Sequence, residues 1–107
     1  TMPYAFCVQY GAAKAALDYY TRTLAVELAP SGIRVNAVSP GPISTPGSDD
    51  LRKTFPGIAP EDWPSFLPLG RIGDTEDVAE VVALLASSRG KFLTGVNYRV
   101  DGGMTAR

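Results

Sequence analysis

A chain of 107 residues with 45% hydrophobic and 20% charged residues has the composition of one small globular domain, or of part of a larger one. Its formal net charge of −1 gives no electrostatic reason for a nucleic acid or an anionic membrane as partner. The absence of histidine excludes a Ser-His-Asp or Cys-His mechanism within the chain, and the single cysteine, Cys7, excludes an internal disulfide or a cysteine-rich zinc site.

No apolar stretch approaches the roughly 18 residues needed to span a bilayer. The start, Thr1-Met2-Pro3-Tyr4, has neither the basic residues nor the apolar core of a signal peptide and reads as mid-loop. A lone Cys7 suits a reducing compartment. The expectation is a cytoplasmic protein with no bound metal and no membrane or nucleic-acid partner.

The first predicted element is a helix over residues 9–29, free of proline and rich in strong helix formers. Ala13, Leu17, Tyr20, Leu24 and Leu28 recur at three- and four-residue steps and predict one apolar face. Pro30 and Gly32 stop the helix. Residues 33–39 read as a strand that ends at Pro40-Gly41-Pro42. Residues 42–73 are rich in proline, glycine and serine, too long for a bare connection, and are expected to form a lid or to contain short helices. In that loop Trp63 and Phe66 either cap a substrate pocket or pack a short helix onto the body. Asp74 or Thr75 caps a second helix whose apolar face is Val78, Val81, Val82 and Leu85. A last strand runs from Val96 to Val100, and Asp101-Gly102-Gly103 turns out of it. Arg34 and Arg71 are expected at the surface or in weak ion pairs, and Phe6 and Cys7 in small apolar packing roles.

A strand–helix–strand order implies two parallel strands. Two such strands cannot cover both faces and both edges, so the pattern fits the end of a larger doubly wound α/β sheet.

Tyr10 and Lys14 stand four residues apart near the helix start and therefore share a face. A phenol has a pKa of about 10, and bringing it to about 7 requires roughly 4 kcal/mol of differential stabilisation of the phenolate. One cation about 4 Å away at an effective dielectric near 20 supplies that much. A tyrosine so tuned can protonate a carbonyl oxygen, or take the proton of an alcohol in the reverse direction. The spacing Tyr-x-x-x-Lys alone is not specific and needs its context.

That context is extensive. Tyr10-Gly-Ala-Ala-Lys14-Ala-Ala-Leu17 is followed by Gly32-Ile-Arg-Val-Asn-Ala-Val38, Pro40-Gly41-Pro-Ile43-Ser-Thr45, Leu69-Gly-Arg-Ile-Gly73, Glu76-Asp-Val-Ala79, Thr94-Gly95 and Val100-Asp-Gly-Gly103. In this order and spacing the chain resembles the C-terminal half of short-chain dehydrogenases/reductases of the compact type, over nearly all of residues 1–107. The resemblance implies the C-terminal portion of a Rossmann fold, with 42–73 as the substrate loop. It implies an NAD(P)-dependent oxidoreductase that interconverts a secondary alcohol and a ketone. Tyr10 would be its acid/base. Lys14 would depress the Tyr10 pKa and bind the nicotinamide ribose hydroxyls. Pro40 and Gly41 would turn the chain beside the nicotinamide of NAD or NADP. Ile43, through its backbone, and Thr45, through its hydroxyl, would hold the carboxamide. Self-association into a dimer or tetramer through the first helix and the final helix and strand is also implied. The family's glycine-rich dinucleotide loop and its catalytic serine have no counterpart in these residues. The chain is thus expected to hold about half of a site, and the alternative is an inactive fragment that only associates through its helices.

Overall fold

The computed structural model describes residues 8–106, with side chains from residue 11 onward. Phe6 and Cys7 lie outside the described residues, as does the side chain of Tyr10. Helix α1 (Val8–Leu28) passes into a 3-10 turn at Ala29–Ser31 and ends at Gly32, whose φ of 73° is a conformation that disfavours any Cβ. Strand β1 (Ala37–Pro40) follows, then α2 (Pro46–Lys53), a 3-10 segment at Pro60–Phe66, α3 (Thr75–Ala86), a 3-10 turn at Ser88–Gly90 and strand β2 (Asn97–Val100). The two strands pair in parallel with Ala37 opposite Asn97 and Pro40 opposite Val100. This is an α/β unit with two parallel strands and flanking helices, as the pattern predicts.

The buried face of α1 differs from the expected one. Thr21 and Ala25 are its most buried residues, whereas Leu17 and Tyr20 stand 45% and 60% exposed. Ala25 lies beside Gly95, before β2: a Cβ on Gly95 would stand in ordinary contact, 3.4 Å from that of Ala25. The Thr21 hydroxyl is satisfied inside the helix by donating to the Leu17 carbonyl at 2.7 Å.

The first strand is shorter than expected at its start and longer at its end. Residues 34–36 lie beside 93–96, where Gly95 N–H donates to the Val35 carbonyl at 2.7 Å but side chains supply the other bonds. Val35 N–H donates to the Thr94 hydroxyl at 3.0 Å, and the Asn36 amide donates to the Leu93 carbonyl at 2.9 Å. Arg34, expected at the surface or in a weak ion pair, is half-buried and donates to the carbonyls of Leu93 and Ser87. Pro40 belongs to the strand because its missing N–H costs no bond to β2. Ala37 and Gly41 donate to Val96 and Val100 at 3.0 and 2.9 Å, so even-numbered residues face the opposite edge. Among the described residues no strand covers that edge.

The segment after β1 is closed at its base. Gly73 N–H donates to Pro42 and Ser44 N–H donates to Gly73, at 2.9 and 2.8 Å. Trp63 meets Phe55 and Phe66 edge-on with centroids 5.3 and 6.3 Å apart, and Trp63 and Leu67 are buried. Trp63 thus packs the Pro60–Phe66 segment, and its indole N–H is buried without an acceptor among the described residues. In α3, Val78, Val81 and Leu85 are half-buried as expected, but Val82 is 48% exposed. Asp74 is the N-cap, and the Asp77 carboxylate accepts its N–H at 2.7 Å. Arg71 grips the same carboxylate with two nitrogens, at 2.8 and 3.1 Å. No helix among the described residues is long and apolar enough to cross a membrane.

Two predictions follow from this packing. Gly90→Ala would place a methyl 2.6 Å from the Leu84 carbonyl oxygen and is expected to destabilise the full-length protein by about 1–3 kcal/mol, whereas Gly47→Ala, in open space on α2, is expected to be neutral or slightly stabilising; denaturant midpoints distinguish them. The hydrogen bond from Arg71, and then that from the Asp74 N–H, hold the Asp77 carboxyl down at about 2. Its unfolded value is about 3.9, so its contribution is complete above that pH and is lost as pH falls towards about 2. Asp77→Asn is expected to flatten the stability profile across that window in an acid titration.

Candidate functional site

The sequence directs attention to two places, the start of α1 and the turn after β1. In α1, residues 10 and 14 are one helical turn apart on one helix, so their positions share a face. Lys14 is half-buried, on the same face as Asp18, Thr21 and Ala25. The side chain of Tyr10 falls outside the described residues.

The turn after β1 is built by a close approach. Gly41 faces Asp101, and a Cβ at Gly41 would lie 2.6 Å from Asp101 Cβ and 2.7 Å from its Cα. No other residue fits without parting the strand ends, which explains Gly41 by packing alone. Asp101 is held in turn. Its carboxylate accepts from the N–H groups of Gly103 and Thr105, at 3.0 and 3.2 Å, and from the Thr105 hydroxyl at 2.5 Å. Partial burial works against its charge, but the Thr105 hydroxyl, the two N–H groups and Arg99 outweigh that, and its carboxyl stays below the ordinary value.

Beyond Gly41 the chain runs into the α2 cap. Thr45, the N-cap, accepts from Ser48 N–H at 3.2 Å, and Ser48 Oγ accepts the Thr45 N–H at 3.0 Å. This is a capping box in which serine replaces the usual Glu or Gln. The Ile43 carbonyl accepts from Ser48 Oγ at 2.5 Å and from Arg52 at 3.4 Å. Arg52 is fixed by Asp49, which also accepts from the Ser44 hydroxyl. Among the described residues the Ile43 N–H has no acceptor.

A cleft of about 350 Å³ opens beyond the carboxyl ends of the two strands, lined by Pro42, Ile43, Leu67, Leu69 and the Asp101–Gly103 turn, with Arg71, Asp77 and Arg99 at its polar side. Ligands of open α/β sheets bind beyond these strand ends. Of the expected site residues whose side chains are described, only Ile43 lines this cleft. Pro40, Gly41 and Thr45 adjoin it in the chain without lining it, and Lys14 sits elsewhere, on α1. Sequence reasoning missed Asp101 as the partner of Gly41, and Ser48, Asp49 and Arg52 as supports of the loop. The Thr45-x-x-Ser48 spacing was the available signal for the cap; nothing local in the sequence marks the Gly41–Asp101 contact. Among the described residues no group of histidine, cysteine or carboxylate side chains is arranged to hold a metal ion.

Comparison with known proteins gives this geometry a family. Residues 2–105 match the family model described as enoyl-(acyl carrier protein) reductase. The chain is 40% identical over 104 residues to 3beta-hydroxysteroid dehydrogenase 1 of Eggerthella lenta, an overlap of 97% of the chain and 39% of that relative. It is 43% identical over 95 residues to the 3-oxoacyl-[acyl-carrier-protein] reductase FabG of Pseudomonas aeruginosa, covering 89% of the chain and 37% of the relative. Its structure superposes on a short chain dehydrogenase family protein from Francisella tularensis with a TM-score of 0.84 and 34% identity, over 94% of this chain and 44% of that one. The chain therefore spans about two-fifths of the length of these relatives, with a fold that is the corresponding part of their Rossmann-type α/β sheet. On the family match and on these likenesses together, the chain belongs to the short-chain dehydrogenases/reductases, a family of oxidoreductases.

Proposed function

We propose that the full-length protein carrying this chain is an NAD(P)-dependent oxidoreductase that interconverts a secondary alcohol and a ketone, with Tyr10 as acid/base and Lys14 as its cationic partner. The observation that carries the reading is the hydrogen-bonding state of the loop after β1. The Ile43 N–H is left over as a donor, and Thr45 Oγ1, with one lone pair taken by Ser48 N–H, has another to offer. A carboxamide presents one acceptor and one donor group, which is the complement of that pair. Ile43 and Thr45 would therefore hold the amide of the nicotinamide, and Pro40 and Gly41 the turn beside it. When bound, the nicotinamide supplies the site with a hydride donor or acceptor.

The protein's own part is proton transfer. A phenol at residue 10 delivers a proton to the carbonyl oxygen in reduction and accepts it from the alcohol in oxidation. The ammonium of Lys14, one turn along, favours the phenolate and donates to ribose hydroxyls. Rise along the helix and the strand supports placing both halves of the site at comparable heights. Lys14 is eleven residues before Ala25, about 16 Å of helical rise, and Gly41 is six residues beyond Val35, about 20 Å of strand. Gly95 ties these reference points together, since it packs on Ala25 and its N–H donates to Val35 at 2.7 Å. A helix returning along its strand would bring residues 10–14 and 40–45 to the same end.

The names of the relatives suggest two substrate probes, a 3β-hydroxysteroid and a 3-oxoacyl carrier-protein substrate. Exposed Leu17, Tyr20 and Val26 on α1 support self-association through that helix as a dimer or tetramer. The isolated 107-residue chain, with about two-fifths of its relatives' length and an open edge on β1, is expected to be inactive by itself.

Tyr10→Phe in the full-length protein is expected to lower kcat by about a hundredfold or more on whichever probe turns over, while the cofactor dissociation constant measured calorimetrically changes little. Turnover at the wild-type rate would refute the assignment. Tyr20→Glu is expected to reduce the light-scattering mass of the assembly; an unchanged mass would remove α1 from the contact.

A further inference from the structure

We propose that Ser48 is a positioning residue that sets the direction of the Thr45 hydroxyl proton and so makes Thr45 an acceptor for the amino group of the nicotinamide carboxamide. The inference rests on the reading of Ile43 and Thr45 given above and adds a residue that the reading does not use.

Ser48 Oγ has one hydrogen and four polar neighbours: the Ile43 carbonyl at 2.5 Å, the Thr45 carbonyl at 3.2 Å, the Thr45 N–H at 3.0 Å and the Thr45 hydroxyl at 2.8 Å. Carbonyl oxygens only accept. The shortest of these contacts, to Ile43, therefore takes the Ser48 proton; without it two oxygens would face each other at 2.5 Å with lone pairs opposed. The Ser48 oxygen is then left to accept, from the Thr45 N–H and from the Thr45 hydroxyl. The Thr45 proton is thereby committed to Ser48. One Thr45 lone pair takes the Ser48 N–H at 3.2 Å, and the other is the only hydrogen-bonding capacity the hydroxyl has left. Thr45 can accept from a ligand and cannot donate to it.

The same serine fixes the other half of the pair. By binding the Ile43 carbonyl from the α2 side, together with Arg52, it turns that peptide so that the carbonyl is occupied and the N–H is not. Arg52 has only 12% of its side chain exposed and is braced by Asp49, so this support is anchored in α2. The result is a donor at Ile43 and an acceptor at Thr45 with fixed polarity. Such a pair distinguishes the two ends of a carboxamide.

The test compares NAD(P)H with its 3-acetylpyridine analogue, in which a methyl group replaces the amino group and the carbonyl remains. Dissociation constants are measured by calorimetry on the full-length protein. Wild type is expected to bind the carboxamide cofactor about fivefold more tightly than the analogue, the worth of one neutral hydrogen bond. In Ser48→Ala the Thr45 hydroxyl is released to rotate, and the preference is expected to fall to within about twofold. Ser48→Thr, which keeps the hydroxyl, is expected to restore it. A merely structural role would weaken both ligands equally in Ser48→Ala and leave the ratio at the wild-type value, which would overturn the proposal. Thr45→Val separates this failure from failure of the underlying reading. If Thr45→Val abolishes the preference and Ser48→Ala does not, Ser48 alone is wrongly assigned. If Thr45→Val leaves carboxamide binding and the preference unchanged, Thr45 does not touch the carboxamide and both proposals fall.

Discussion

Two parallel strands end side by side here, and the backbones just beyond them touch. A Cβ on Gly41 would lie within 2.7 Å of both Cα and Cβ of Asp101, so only glycine lets β1 and β2 keep their register to the last pair. Much of the local architecture is hung from that contact. The Asp101 turn is fastened by its own carboxylate to Gly103 and Thr105, and Gly102 accepts the Leu69 N–H at 3.1 Å, which draws the returning end of the long loop against β2. The outgoing end, Pro42–Ser44, is paired with Gly73. Both ends of the loop are therefore fixed to strand termini, and the place where Ile43 and Thr45 emerge is determined by the sheet and not by the loop's variable interior. A ligand bound at that place would be held by backbone whose position the core dictates, the arrangement expected of ligand sites at the carboxyl ends of an open parallel sheet.

Within this frame, hydrogen bonds rather than formal charge do most of the directing. Arg71 and Asp77 pair at the start of α3, and Arg52 and Asp49 pair in α2; Asp77 also accepts the Asp74 N–H, and Asp49 also accepts from the Ser44 hydroxyl. These pairs are partly exposed, and their role is to hold orientation more than to add stability. The loop side chains that face backbone carbonyls, Ser48 and Arg52 at Ile43, and Arg34 at Leu93 and Ser87, act in the same way at opposite ends of the molecule. Where the ladder between residues 34–36 and 93–96 is incomplete, Asn36 and Thr94 fill it by using their side chains as surrogate peptide groups.

The elements were legible where local chemistry alone decides them. The long helix, its stop at Pro30 and Gly32, the Asp74 cap and the parallel strand pair all follow from residue type and spacing, and the motif series pointed to the family that the comparisons support. What the sequence did not reveal depends on contacts far apart in the chain. Periodicity assigned the inner face of α1 to Leu17 and Tyr20 among others, but the helix buries Thr21 and Ala25, the latter beside Gly95, seventy residues later. The strand boundary at residues 33–36 was misread because apolar alternation there supports side-chain bridging as well as it supports a ladder. The site was legible to the same degree: Ile43 and Thr45 were named from the motif, while Ser48 and Arg52, which determine what those two can offer a ligand, emerged only from the hydrogen-bond geometry.

The central claim is that the turn after β1 receives the nicotinamide amide while the Tyr10–Lys14 turn of α1 faces the reacting carbon. The most direct measurement is a crystal structure of the full-length protein with NAD or NADP bound. It is predicted to place the carboxamide oxygen about 3 Å from the Ile43 nitrogen and the carboxamide nitrogen about 3 Å from Thr45 Oγ1, with Lys14 at the ribose hydroxyls. A nicotinamide seated instead between Leu69 and Arg99, out of reach of Ile43, Thr45 and Lys14 alike, would contradict the account.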